Sequence, residues 1–175
     1  MSQVKSELTT AEDYRRMPGE TPRYQLIEGR LHLSPAPNRF HQKIVGRIYF
    51  LIQQYLEDHP VGEVYISPFD VYLTDINVFQ PDVIYVTNSQ TVILTDAGAE
   101  GPPDIAIEVL SKRTSSIDLG PKRKIYANTG VKELWILNPE AHTVDVYELQ
   151  SDPQSPAATY SIAPSSRRLT TRIFP

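Results

Sequence analysis

The apolar run at residues 105–110, Ile-Ala-Ile-Glu-Val-Leu, constrains this chain more than any other stretch. It is short, rich in β-branched residues, and bounded by Pro102-Pro103 on one side and a polar cluster on the other. That pattern predicts a buried strand. One residue interrupts it, Glu108. A carboxylate buried there without a partner costs several kcal/mol or takes up a proton. It therefore requires a cation, a set of hydrogen-bond donors or a metal.

At 175 residues the chain is long enough for one domain with a sizeable core. We place that core at about residues 8–149, with a C-terminal extension at 150–175. Hydrophobic residues at 40% and charged residues at 22% exclude a disordered chain. No apolar run approaches the ~18 residues of a membrane span, and residues 1–7 lack a charged-then-apolar signal pattern. The absence of cysteine rules out disulfides and thiolate metal sites, and suits a cytoplasmic protein. With a net charge of −4, whole-molecule attraction cannot drive binding to nucleic acid, so such binding needs a local basic patch.

Read in order, Thr9 or Thr10 caps a short helix that Pro18-Gly19 ends. Residues 24–27 and 30–34 form a hairpin around Glu28-Gly29. Asn38 then caps the clearest helix, residues 39–58. At 100° per residue Phe40, Ile44, Ile48, Leu51, Ile52 and Tyr55 share one arc, with Val45 and Leu56 at its edge. Arg39, Lys43 and Arg47 line the adjoining edge, as a solvated face or as phosphate contacts. His41 falls inside the apolar arc but in the first turn, which suits the rim of a cleft as well as a core position.

Strands follow at 62–67 and 69–73, with Pro68 as a break, then a turn at 75–77. Gln80-Pro81-Asp82 leads into a second wholly apolar strand, 83–86, and residues 87–101 form a loop. Beyond the 105–110 strand, residues 116–128 predict a helix ended by Gly130, and 133–137 a strand carrying Trp135. Residues 143–149 alternate as a half-exposed strand, and 150–156 shift to Ser, Pro and Asp before a final edge piece. The pattern is α+β with an α/β/α core, a central mixed sheet flanked by helices.

Two apolar strands thus each carry one acid, Asp82 and Glu108, where a core residue is expected. If the strands are neighbours the carboxylates converge and repel, and a divalent cation resolves the conflict. Mg²⁺ or Mn²⁺ suits oxygen ligands of this kind, with the Val109 carbonyl as a further ligand. Lys122 on the following helix could face the charge that develops on phosphorus. Equally, acids at strand ends cap turns or pair with lysines, and Asp118 with Lys122 can be a helix salt bridge of ~0.3–0.5 kcal/mol. Asp104 stands four residues before Glu108 on one strand, roughly 13 Å away, too far to share an ion, and reads as structural.

Pro81-Asp82 followed by Glu108-Val109-Leu110 resembles the PD-(D/E)XK signature of the restriction-endonuclease-like nuclease superfamily. The likeness extends to one prokaryotic branch of restriction-endonuclease-like proteins, long known only as a domain of unknown function. It is carried by Tyr24-Gln-Leu-Ile-Glu28-Gly-Arg-Leu, Ser34-Pro35 followed by His41, Pro103-Asp104, Ser111, Asp118…Lys122…Tyr126 and Gly130-Val-Lys-Glu133-Leu-Trp135. The resemblance implies a metal-dependent DNA endonuclease in which Asp82, Glu108 and the Val109 carbonyl hold Mg²⁺ or Mn²⁺.

The signature's lysine falls where this chain has Leu110. The branch is similar in that departure, and its lysine matches Lys122, with Lys124 as the fallback. Glu28 and His41 match recurring positions and are expected to line the site, Glu28 either as a further acid or as a turn residue. Lys112, Arg113 and Arg123, with Arg39, Lys43 and Arg47, could supply the basic surface for DNA. The superfamily resemblance and the half-exposed strand 143–149 suggest a homodimer. The rival expectations are a nucleic-acid-binding domain without turnover, motivated by Leu110, and a structural or partner-binding domain in which Lys122 simply neutralises Glu108.

Overall fold

A computed structural model describes residues 8–17, 24–111, 115–161 and 173. Thr10 opens helix α1 (Ala11–Arg15) with a capping box. Its hydroxyl accepts from the Asp13 N–H, and the Asp13 carboxylate accepts from the Thr10 N–H. The expected stop at Pro18-Gly19 lies outside the described residues. Strands β1 (Tyr24–Ile27) and β2 (Arg30–Leu33) pair antiparallel around Glu28 and Gly29, whose φ values are 49° and 73°. Positive φ at both central residues is the turn whose twist suits a two-residue hairpin.

Asn38 caps α2 (Arg39–Asp58), accepting from the N–H groups of Phe40 and His41 at 2.9 Å each. The helix occupies the residues its periodicity predicts, but its buried flank is turned from the expected arc. Ile44, Val45, Ile48, Ile52 and Leu56 pack on the core, whereas Phe40 and Leu51 are 58% and 48% exposed. Apolar residues cover so much of the circumference that the pattern alone cannot say which part the sheet takes.

Next come β3 (Gly62–Ile66), β4 (Val71–Thr74), β5 (Asn77–Phe79) and β6 (Val83–Thr87). Asn77, expected in a turn, begins β5. The expected loop at 87–101 holds a 3₁₀ turn, Asn88–Ile93, and two very short strands, β7 (Leu94–Thr95) and β8 (Gly98–Ala99). After β9 (Ile105–Val109), the helix expected at 116–128 is three joined pieces: α3 (Ser115–Ile117), a π-helical turn at Asp118–Lys122, and α4 (Arg123–Thr129). Gly130 ends it with φ 104°. Strands β10 (Glu133–Asn138), β11 (Thr143–Glu148) and β12 (Ala158–Ser161) complete the described elements.

These strands form two mixed six-stranded sheets, where one had been expected. The first has the order β2-β1-β5-β4-β8-β7, the second β12-β11-β10-β9-β6-β3. β9 lies inside the second sheet, parallel to β10 and antiparallel to β6. Its odd residues, Ile105, Ile107 and Val109, pack with α2 on one face. Ala106 packs with Ile125 and Tyr126 of α4 and with Phe79 of the first sheet on the other. The strand is therefore covered on both sides, and Glu108 points to the α4 side.

β11 is the hairpin partner of β10 and alternates half-buried with buried residues as expected, but its other edge pairs with β12 and is not open to a second chain. Asp104 is structural, as its spacing implies. It is fully buried, accepts from the N–H and hydroxyl of Thr87 at 2.7 and 2.8 Å, and pairs with Lys132 at 2.5 Å. No helix among the described residues is long and apolar enough to cross a membrane.

Candidate active site

The β6–β9 ladder pairs Val83 with Ile107. One step further along that register Asp82 stands opposite Glu108, just before β6 begins. The Asp82 carboxylate replaces the missing ladder bond, its Oδ2 accepting from the Val109 N–H at 2.7 Å. Pro81 before it has no N–H to offer a neighbour and marks where the strand starts. The two acids are thus brought to the same end of two adjoining strands, as their positions in the sequence suggest.

Glu108 is 4% exposed and is enclosed from the π-helical turn and α4. Lys122 Nζ lies 2.5 Å from Glu108 Oε1, and the Tyr126 hydroxyl donates to the same oxygen at 2.7 Å. Asp118 Oδ1 sits 3.3 Å from Lys122 Nζ on the other side. The ammonium also lies 5.4 Å from the centre of the Phe79 ring, which is itself edge-on to Tyr126. Lys122 is 1% exposed, so a charge that rarely enters a core is held there by two carboxylates and an aromatic face. Burial pushes Glu108 up to about 8, against the opposing pull of Lys122. Burial works to lower Lys122, but the charges of Glu108 and Asp118 outweigh it and hold the ammonium above its ordinary range. Tyr126 is raised well above the ordinary phenol range, by burial first and then by Glu108, so it stays a donor.

On the other face of β9, His41 Nε2 lies 3.2 Å from Asp82 Oδ2 and 3.2 Å from the Val109 carbonyl. Both neighbours accept, so Nε2 carries the proton. The hydrogen bond to Asp82 raises the imidazole above its ordinary value, against desolvation. His41 Nδ1 is buried without a partner. His41, Asp82, Glu108, Val109, Asp118 and Lys122 line one open cavity of about 1150 Å³ between the β1–β2 hairpin with its following loop and the Ser115–Lys122 stretch. Its wall adds Gln25, Ser34 and Gln80, and Glu140 stands at its edge.

The structure separates the remaining candidates. Glu28 is exposed in the hairpin turn, its N–H bonded to the Asn77 side chain at 2.9 Å. It lines a smaller neighbouring cavity of about 360 Å³ rather than joining Asp82 and Glu108. Lys124 is exposed and does not line the main cavity, because the helix turns it away from the side that Lys122 occupies. Leu110 packs against the cluster containing Ile125 and Tyr126, so the position of the signature's lysine is an apolar contact. Arg39, Lys43 and Arg47 project from the exposed flank of α2 and do not line the cavity. Arg123 lies over the Tyr147 ring at 5.1 Å. Lys112 and Arg113 lie outside the described residues.

Three members of the cluster were not predicted as site residues, although Asp118 was expected as a salt-bridge partner of Lys122. Asp118 and Tyr126 left a signal, their four-residue spacing on either side of Lys122. Phe79 left none, because its strand is three residues long and follows a turn.

Among the described residues, no three Asp, Glu or His side chains are grouped to hold a metal ion. Asp82, Glu108 and Val109 all line the cavity and offer two carboxylates and a backbone carbonyl. Each carboxylate uses one oxygen in the bonds above, Oδ2 of Asp82 and Oε1 of Glu108. Asp82 Oδ1 and Glu108 Oε2 take none of them. A set of hard oxygen donors with two carboxylates fits Mg²⁺ or Mn²⁺, which commonly complete their shells with water and substrate phosphate.

A family model described as "Uma2: Putative restriction endonuclease" matches residues 11–172. Among solved structures, the chain is similar to "a putative nuclease belonging to DUF820 from Anabaena variabilis ATCC 29413". The TM-score is 0.76 at 18% identity, over 94% of this chain and 90% of that one. At that identity the likeness is one of fold, and it agrees with a restriction-endonuclease-like architecture. No curated protein matches the chain.

Proposed function

On the premise that this chain belongs to the "Putative restriction endonuclease" family, we propose that it is a metal-dependent endonuclease hydrolysing DNA phosphodiester bonds. The observation that carries the reading is the clamp of Asp82 on the Val109 N–H, which sets Asp82 beside Glu108 at the floor of an open cavity. Asp82, Glu108 and the Val109 carbonyl would hold Mg²⁺ or Mn²⁺. When bound, such an ion polarises the phosphodiester and lowers the pKa of its water.

The chain's own groups then have separate tasks. Tyr126 and Lys122 fix the Glu108 carboxylate by one oxygen and leave the other for the cavity. Lys122, with Asp118 as a second counter-charge, keeps a fixed ammonium beside the place where negative charge develops on phosphorus. It would also orient the attacking water. His41 ties Asp82 to the Val109 carbonyl and so holds two of the oxygen donors in register. The cavity itself carries Asp82, Glu108, Asp118 and Glu140 against Lys122 and two histidines, so a polyanion enters it with a bound cation rather than without one. Arg123, together with Lys112 and Arg113 as the sequence suggests, would contact the flanking phosphates.

One feature favours a second reading. Lys122 and Tyr126 already satisfy one oxygen of Glu108 in a buried pair, which a purely structural domain would also show. Supercoiled plasmid incubated with purified protein and Mg²⁺ or Mn²⁺ separates the two. Nicking or linearisation by the wild type, lost in Asp82→Ala, Glu108→Gln and Lys122→Ala, is expected. Cleavage that survives all three substitutions places the active site elsewhere. DNA binding without cleavage, in a chain that also fails to bind Mn²⁺, supports a domain that lost turnover.

A further inference from the structure

Three large apolar side chains from three separate elements line the main cavity and yet stay out of the core. Leu33 ends β2 at 59% exposure, Phe40 stands in the first turn of α2 at 58%, and Leu119 lies in the π-helical turn at 36%. Leaving such groups in water forgoes burial that folding could have used, and apolar groups gathered at a cleft mark a binding surface. The carboxylates that we assign to the metal line the same cavity. Phe40 is joined directly to His41, whose Nε2 lies 3.2 Å from Asp82 Oδ2, so the ring is carried one residue from the group that holds Asp82.

We propose that this cavity takes an unpaired nucleotide of single-stranded DNA, with its phosphate toward Asp82 and Glu108 and its base stacked on Phe40. The inference rests on the reading above for what the two acids do, and adds the form of DNA they act on. A nucleotide joins an anionic phosphate, which needs the cation, to a flat base with apolar faces. Acids and apolar groups in one cavity match both parts. A duplex does not match them. Its base faces lie on one another, and only phosphates, sugars and groove edges meet a protein. Phe40, Leu33 and Leu119 would then be set against charge. An unpaired strand instead offers each base face to an aromatic ring. Size argues the same way, because about 1150 Å³ is close to the roughly 300–1,000 Å³ of cavities that enclose small ligands. That suits a nucleotide or two rather than a double helix.

The polar wall of the cavity supplies an independent reason. Gln25 Nε2 donates to Ser34 Oγ at 3.0 Å, and Gln25 Oε1 accepts from the Gln80 N–H at 3.1 Å. Gln80 Nε2 donates in turn to Asp70 Oδ1 at 2.8 Å. These bonds hold two carboxamides and a hydroxyl in place along the wall. Carboxamides and hydroxyls are the neutral groups that pair with base edges. Hydrolysis of a phosphodiester calls for none of them, so their placement is explained by a base inside the cavity.

Fluorescence anisotropy with a short labelled single strand and the matching duplex tests it on the full chain. Ca²⁺, which takes oxygen ligands in looser geometry than Mg²⁺, is supplied to occupy the acids. The wild type is expected to bind the single strand at least tenfold more tightly than the duplex. Phe40→Ala should lose roughly tenfold for the single strand and little for the duplex. Phe40→Trp should keep the affinity, and Phe40→Leu, with apolar bulk but no ring face, should not. Phe40 is exposed, so all three variants should melt with the wild type. Equal affinity for the two forms overturns the proposal, and so does single-strand binding that ignores Phe40→Ala or is fully kept by Phe40→Leu. Plasmid cleavage in Mn²⁺ without a single-strand preference overturns it and leaves the hydrolytic reading standing. An uncut plasmid, with a single-strand preference that depends on Phe40, supports it and removes turnover alone.

Discussion

Charge decides how Glu108 and its neighbours respond to substitution. Lys122→Met removes the ammonium and leaves a carboxylate at 4% exposure with Tyr126 alone. Breaking a buried pair in this way costs about 3–5 kcal/mol while the acid stays ionised, read as a urea midpoint that falls further as pH rises past the value of about 8 to which burial pushes Glu108. Adding Glu108→Gln removes the stranded charge, so the double variant is expected to be more stable than Lys122→Met. A double variant that is less stable by the sum of both losses would show that the two side chains do not act as a pair. His41 gives the pH test. Its hydrogen bond to Asp82 raises the folded imidazole above the 6.5 of an unperturbed histidine. The stability it adds is therefore complete below that unfolded value, and is lost as pH rises through the folded one. Asp82→Asn is expected to bring the imidazole down, followed by proton-detected NMR titration, and to flatten that part of the pH–stability curve. An imidazole that titrates unchanged in Asp82→Asn rules the contact out. At this scale Asp82, Glu108 and Lys122 were legible because a charge inside or next to an apolar run has few explanations. The bond from Tyr126 was not, since an aromatic residue at helical spacing reads first as core.

Elements were legible where a cap or a long period marks them. Asn38 and the apolar residues after it place α2 at residues 39–58, and the structure begins and ends it there. Residues 118–122 are different. Asp-Leu-Gly-Pro-Lys reads as ordinary helix or as a helix end, yet the chain makes a π-helical turn there, with Pro121 inside it. Such turns recur at functional sites, and this one carries Asp118 and Lys122 into the core together. Gly120 sits in the turn with nothing within 4 Å of a built Cβ and without a positive φ. Gly120→Ala is therefore expected to stabilise the protein by roughly 0.5–1 kcal/mol, through helix propensity and the unfolded chain. Equilibrium denaturation measures it, and the metal affinity of the cavity should not move. Loss of stability instead would show that the turn relies on glycine for more than space. The division of the strands into two sheets escaped the sequence for a related reason. β5, β7 and β8 have three, two and two residues, too few for any period to be seen.

For the molecule as a whole, the sign of the cavity matters more than its shape. A chain of net charge −4 gathers four acids around Lys122 in the cleft where we place the chemistry, so the folded state keeps like charges together that the unfolded chain disperses. A divalent cation that binds only the folded arrangement stabilises it by mass action, about 2.7 kcal/mol at a hundredfold excess over its dissociation constant. For a chain of this size that is on the order of 5–10 °C in Tm. Mn²⁺ and Mg²⁺ are expected to raise the melting temperature of the wild type by that amount. Asp82→Asn and Glu108→Gln should lose most of the increment, although each relieves some repulsion and can melt higher than the wild type without metal. Lys122→Met should keep it, because a missing ammonium leaves the two carboxylates more in need of a cation. A wild type whose Tm ignores both ions, while Lys122→Met unfolds as predicted, would assign Glu108 and Lys122 to a structural pair and take the metal out of the cleft.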